Sequence, residues 1–174
     1  MFLADKWKDY KLLDVSCGER LEIWGDYILI RPDPQAIWRS EKKHPLWSKA
    51  NAHYHRSKSG GGSWQIFRLP ESWQIKYKNL TFNIKPMNFK HTGIFPEQAV
   101  NWDFMIDKIL SAGRKINVLN LFAYTGGATM ACAFAGASVC HVDASKGMVQ
   151  WAKDNAQACG LREKPVRYIV DDCI

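Results

Sequence analysis

An apolar run, Asn117-Val118-Leu119-Asn120-Leu121-Phe122, ends abruptly at Ala123-Tyr124-Thr125-Gly126-Gly127-Ala128-Thr129, a small-residue turn with paired glycines. A β-run feeding a helix through such a turn cannot bury both of its faces alone and needs neighbouring strands. The sequence supplies them. The spacing predicts a first strand over Ile116 to Leu121, a short helix from about Thr129 to Ala135 stopped by Gly136, and a second strand over Ser138 to Val142. A helix then runs from about Lys146 to Cys159, with Ser145 as N-cap and Gly160 just past its end, and a third strand covers Val166 to Val170. Alternating β and α with short apolar strands predicts an α/β fold with a parallel sheet.

The first half of the chain reads differently. Short β-rich runs at Lys11 to Val15, Leu21 to Trp24 and Tyr27 to Ile30 are separated by Ser16-Cys17-Gly18-Glu19 and Gly25-Asp26 and closed by Arg31-Pro32-Asp33-Pro34. Residues 35–63 lack long apolar runs and end in the Gly/Ser loop Ser57-Lys58-Ser59-Gly60-Gly61-Gly62-Ser63. The β pattern returns at Trp64 to Leu69, Trp73 to Tyr77 and Leu80 to Ile84. Two domains follow, a small, mostly antiparallel β region over residues 1–88 and an α/β domain over residues 89–174. At the start of the latter, Phe89 to Pro96 is a connector, and Glu97-Gln98 opens a helix whose expected buried face is Val100, Met105, Ile109 and Ala112, closed by Gly113.

Charge follows the same division. Residues 1–90 hold 16 Lys and Arg against 9 Asp and Glu, residues 91–174 hold 8 against 8, and six of the eight tryptophans fall in the first part. Basic residues interleaved with aromatics suit a phosphate backbone and unstacked bases, so the β region is a candidate RNA platform; tryptophans filling a small β core would give the same composition. The five cysteines are scattered without a C-x-x-C pair, which points to free thiols, and His53-Tyr54-His55 has no further ligand at metal spacing, so no metal site is expected. No apolar run nears the ~20 residues of a membrane helix, and the charged N-terminus lacks a signal peptide's apolar segment; a cytoplasmic protein with no membrane partner is expected.

In a parallel sheet, ligands bind beyond the carboxyl ends of the strands. Those ends carry Ala123 to Gly127, then Asp143, then Asp171-Asp172. Gly126 and Gly127 allow close backbone approach, Asp143 stands roughly 20 residues after the glycine turn, where a ribose diol is held, and Asp172, or else Asp171, offers an acceptor for an adenine amino group. A dinucleotide site requires G-x-G-x-x-G for its pyrophosphate, and this loop does not match. S-adenosylmethionine has no phosphate to cradle, so it is favoured over a nicotinamide dinucleotide, whose oxidoreductases are the competing reading. Glycines that only pack helix on strand, and aspartates that only cap helices, would leave a scaffold, and the chain would then be a non-catalytic RNA-binding module.

Asn120 to Gly127, with His91-Thr92-Gly93-Ile94-Phe95-Pro96-Glu97-Gln98 upstream and Val142-Asp143-Ala144-Ser145 downstream, resembles the class I methyltransferases of the ribosomal RNA large-subunit methyltransferase I type. The resemblance covers about residues 85–174. It implies a Rossmann-like sheet, here its parallel strands one to three, behind the antiparallel β region, and it implies S-adenosylmethionine as cofactor and ribosomal RNA as partner. By the same resemblance Phe122, Ala123, Tyr124, Thr125, Gly126 and Gly127 line the methionine end, Asp143 holds the ribose with Ala144 and Ser145 beside it, and Asp172, with Asp171, meets adenine. The Thr92, Phe95 and Gln98 block closes over the cofactor, although the basic residues that flank it in other members are replaced here by His91 and Ala99. Members carry an Asp-Pro-Pro block after strand four. It is absent from this sequence, so a fragment, inactive by itself, is expected, and no catalytic residue is assigned. Without strand four, Val118 to Leu121 would form an open apolar edge, from which a homodimer or larger species is expected.

Overall fold

The computed structural model describes residues 3–57 and 60–173, so Lys58 and Ser59 of the Gly/Ser loop lie outside the described residues. Its contacts divide the chain into two compact units, Trp7–Ile75 with Ile84–Gly93, and the remainder, in which Lys76–Asn83 joins the residues from Ile94 onward.

The first unit is a five-stranded sheet of β1 (Tyr10–Ser16), β2 (Glu19–Trp24), β3 (Tyr27–Pro32), β4 (Ala52–Arg56) and β5 (Gly62–Ile66), in that spatial order. Neighbours are antiparallel except β3 and β4, which run parallel. The predicted hairpins are in place, with Cys17 and Gly18 at φ 54° and 76° in the first turn. Residues 35–63, in which the sequence pattern assigns no strand, contain β4 and the start of β5, together with a short 3-10 turn at Pro45–Lys49. Tyr54 and Trp64 face each other across that pair with ring centroids 5.4 Å apart. Leu21, Trp24, Leu29 and Ala52 are fully buried at its centre. Glu22 is also fully buried; its carboxylate accepts from Arg31 at 2.6 and 2.9 Å and from the Tyr10 hydroxyl at 2.9 Å, while the Arg31 guanidinium lies 4.8 Å over the Trp24 ring. Burial works against the Glu22 charge, yet its carboxyl stays below the usual range because of Arg31, which outweighs that cost.

A two-stranded hairpin, β6 (Trp73–Tyr77) and β7 (Leu80–Ile84), has its tip, Lys76–Asn83, in the second unit. There Phe82 and Tyr77 meet the buried Trp102 ring at 5.2 and 5.7 Å. The rest of that unit is a three-stranded parallel sheet, β8 (Asn117–Asn120), β9 (Ser138–Asp143) and β10 (Val166–Val170), in the order β10-β9-β8. Among the described residues β8 is therefore an edge strand, with Leu119 64% and Leu121 43% exposed. The helices are α1 (Ala99–Ser111), α2 (Gly127–Phe134) and α3 (Lys146–Ala158). Ser145 caps α3, its hydroxyl accepting from Met148 N, and Gly160 follows in the left-handed region at φ 67°. The buried face of α1 is formed by Ala99 and Trp102, whereas Val100, Met105 and Ile109 are half-buried and Ala112 is exposed. The α1 sequence is apolar on several sides, and the indole of Trp102 offers the largest area to bury, so it sets the orientation.

Candidate cofactor site

The turn after β8 is built from alternating backbone states. Phe122, Tyr124 and Gly126 lie at φ 50°, 52° and 84°. Only the last is a glycine; a left-handed conformation costs other residues roughly 1–2 kcal/mol, so Phe122 and Tyr124 are held there by their surroundings. Ala123 N donates to Val142 O at 3.0 Å, Gly126 N to Ala123 O at 3.0 Å, and the buried Asn155 amide donates to Thr125 O at 2.9 Å. The Asp143 carboxylate completes the clamp, one oxygen accepting from Tyr124 N at 2.7 Å and the other from Ser145 N at 2.9 Å.

This loop forms one wall of a cavity of about 260 Å³ beyond the carboxyl end of β8. Of the residues expected at a site, Phe95, Gln98, Phe122, Ala123, Tyr124, Thr125 and Gly127 line it. The Phe95 and Tyr124 rings lie 5.3 Å apart, and Phe122 is 69% exposed. Asp143, Ala144, Ser145, Asp171 and Asp172 form a second group along the ends of β9 and β10, tied to the first through the bond from Asp143 to Tyr124 N. Asp171 and Asp172 are exposed; Asp171 N donates to Asp143 O at 3.3 Å, and Asp172 N donates to the Asp171 carboxylate at 2.9 Å. Thr92 belongs to the β unit, where its side chain is buried and its carbonyl accepts from Lys85 N.

The two glycines also serve the packing of the chain itself. A Cβ on Gly127 would stand 2.8 Å from Trp102 Cζ2 and 3.2 Å from Ile94 Cδ1, and one on Gly126 would stand 3.0 Å from Ala152 Cβ. Both make room for protein atoms, so α1 and α3 approach the turn as closely as they do.

Sequence reading missed Asn120, Trp102, Ile94 and Ala128, which also line the cavity. Asn120 carried a signal, a polar residue closing an apolar strand. Its amide donates to Thr129 Oγ1 at 2.9 Å, and that hydroxyl lies 2.9 Å from Nδ1 of the fully buried His141. Burial pushes the His141 imidazolium down to about 4, against a smaller upward pull from Asp143.

A model of S-adenosylmethionine-dependent methyltransferases matches residues 36–172. The chain belongs to this family. The family's cofactor is S-adenosylmethionine, and the nicotinamide reading gains no support from the match. In sequence, the chain is 38% identical over 94 residues to the ribosomal RNA large subunit methyltransferase K/L of Shewanella loihica, covering 53% of this chain and 13% of that protein. The curated relatives thus carry the K/L name where the motifs suggested type I. In structure, it superposes on the S-adenosylmethionine-dependent methyltransferase of Agrobacterium tumefaciens with a TM-score of 0.89 at 39% identity, over 97% of this chain and 54% of that one. The fold is shared as well with SMU.776, a methyltransferase complexed with SAH, at a TM-score of 0.73 and 19% identity over 97% of this chain and 47% of that one. The chain therefore spans about half the length of these solved structures and a smaller part of the curated relative. Among the described residues, no helix is long and apolar enough to cross a membrane.

Proposed function

We propose that the chain binds S-adenosylmethionine at the turn after β8 and serves the methylation of ribosomal RNA in the cytoplasm. The observation that carries the cofactor placement is the clamp of the Asp143 carboxylate on the loop that walls the cavity. A carboxylate offers about four lone-pair positions, and the two backbone N–H groups take two, which leaves a pair for the two hydroxyls of a ribose. Asp172 or Asp171, at the end of the neighbouring strand, then accepts from the adenine amino group. Phe122 through Gly127 are assigned to the methionine end; all but Gly126 line the cavity, where the aromatic rings of Phe122, Tyr124 and Phe95 suit a sulfonium cation. Gln98 supplies a polar group at the same end; its side-chain oxygen already accepts from Asn101 at 2.8 Å. Ala144 and Ser145 are assigned to the ribose side. The three parallel strands are read as part of a Rossmann-like class I sheet, and the β unit as the part that meets RNA.

The RNA substrate rests on the names of the relatives and on the basic first half of the chain. Calorimetry with S-adenosylhomocysteine tests the cofactor site: binding is expected, and absence of heat at millimolar ligand overturns the placement. Filter binding of ribosomal RNA fragments at two salt concentrations tests the partner, since contact with several phosphates makes affinity fall steeply with salt. Retention that does not respond to salt would contradict it.

A further inference from the structure

The five-stranded sheet concentrates positive charge on one face. Arg20 pairs across the ladder with Arg31, Leu29 pairs with Ala52, and Ala52, Tyr54 and Arg56 alternate along β4. Strand periodicity therefore puts Arg20, Arg31, Tyr54 and Arg56 on the same side, with Trp64 opposite Tyr54. The segment carrying Phe89 and Lys90 is bound to that side: Arg31 Nη1 donates to Lys90 O at 3.1 Å, Trp64 Nε1 donates to Phe89 O at 3.0 Å, and Lys90 Nζ donates to Pro32 O at 3.4 Å. Phe89 is left 57% exposed beside the cations.

The charges do not balance. Glu22 is enclosed by Arg31 and Tyr10, and Arg20 reaches it only at 3.4 Å, through an Nε that is buried without a hydrogen-bond partner. The Lys90 ammonium is held below its usual range by partial burial and then by Arg20, Arg31 and Arg56, with Asp33 as the opposing carboxylate. Among the described residues, Arg20, Arg31, Arg56 and Lys90 thus stand against Asp33 and Glu22, the latter sealed in the core. Like charges held together in a half-buried place repel, and a bound anion removes that repulsion.

We propose that this face of the β unit is a binding site for single-stranded RNA, in which Arg20, Arg56 and Lys90 hold a phosphodiester and Phe89 stacks on the adjoining base. It rests on the RNA reading above and adds a location to it. Aromatic surface beside a cation cluster is the combination that an unpaired, splayed nucleotide requires.

The test uses fluorescence anisotropy of a 5′-labelled decauridylate across a series of potassium chloride concentrations, with the 174-residue chain and variants R56Q, K90Q, F89A and, in the other unit, K164Q. R56Q and K90Q are each expected to lower the slope of log affinity against log salt, by no more than about 0.7, the value for the one phosphate on a single strand that they share. F89A is expected to weaken binding by about 5- to 100-fold with the slope unchanged, as loss of a stacking platform does. K164Q is expected to match the parent, and S-adenosylhomocysteine binding is expected to be equal in all five proteins, which confirms that they are folded. Parent-like slopes in R56Q and K90Q, or an equal change in K164Q, would overturn the site while leaving the RNA reading intact. Absence of oligonucleotide binding by the parent, with S-adenosylhomocysteine still bound, would instead remove the RNA reading itself.

Discussion

Replacing Asp143 by alanine tests whether the loop conformation and the cofactor site share one cause. The carboxylate accepts from Tyr124 N at 2.7 Å and from Ser145 N at 2.9 Å, and each is a bond to a charged acceptor worth about 1.5–3 kcal/mol. Full loss of both would exceed what is expected, because Tyr124 sits at φ 52° and relaxing it toward negative φ returns roughly 1–2 kcal/mol. The net destabilisation is about 2–4 kcal/mol, which for a chain of this size lowers the thermal midpoint by roughly 5–15 °C. Urea unfolding of the parent, Asp143→Ala and Asp143→Asn measures it, with Asn expected between the two because its carbonyl oxygen keeps one of the two acceptor positions. Calorimetry at a temperature where all three are folded then isolates the ribose contact, and both variants are expected to bind S-adenosylhomocysteine at least tenfold more weakly. A change of under about 0.5 kcal/mol in Asp143→Ala, the level of an ordinary surface substitution, would show that the carboxylate does not hold the loop. Reduced stability with unchanged affinity would separate the loop clamp from the ribose.

Stability should also fall with acid through His141. Its folded pKa of about 4 lies below the ordinary 6.5, so the unfolded chain takes up the proton first; stability is fully present above about pH 6.5 and declines toward pH 4 by about 3 kcal/mol. Urea midpoints at pH 7 and pH 4.5 should reveal it, and His141→Gln should flatten that part of the profile. Gly127→Ala should cost about 1–3 kcal/mol by overpacking, since its Cβ would stand 2.8 Å from the Trp102 ring; a thermal midpoint equal to the parent's would show that α1 can move away freely. The exposed β8 edge should drive self-association of the chain, visible by light scattering at high concentration, and Leu119→Lys should reverse it; a clean monomer for the parent would refute the pairing.

The α/β frame was legible because each of its elements carries its own punctuation. Ser145 and Gly160 bracket α3, and β10 runs over Val166–Val170 as read, between Pro165 and Asp171. What escaped depends on partners far away in the chain. β4 holds its place through Ile30 on one side and Trp64 on the other, pairings that no local pattern in residues 35–63 announces. Of the residues lining the cavity, Phe122, Ala123, Tyr124, Thr125 and Gly127 stand out from the turn itself, but the lining is completed by Trp102 and Ile94, which local sequence near the turn does not reveal. The packing role of the glycines escaped for the same reason: the atoms that a Cβ on them would meet belong to Trp102, Ile94 and Ala152.

Asn120 shows how the sheet interior bears on the cavity. Its amide nitrogen donates to Thr129 Oγ1, and that hydroxyl lies 2.9 Å from His141 Nδ1, a contact that either neutral tautomer makes, with the threonine donating or with the ring donating. His141 Nε2 is buried without a hydrogen-bond partner, so an imidazolium, with hydrogen on both nitrogens, would leave a charged donor unsatisfied there. Protonating His141 would therefore put an unpaired charged donor one hydroxyl away from Asn120, and the desolvation that depresses the imidazole pKa to about 4 keeps the ring neutral near pH 7. The unsatisfied Nε2 is a cost of that arrangement, and it falls inside the sheet core, away from the wall that Asn120 forms.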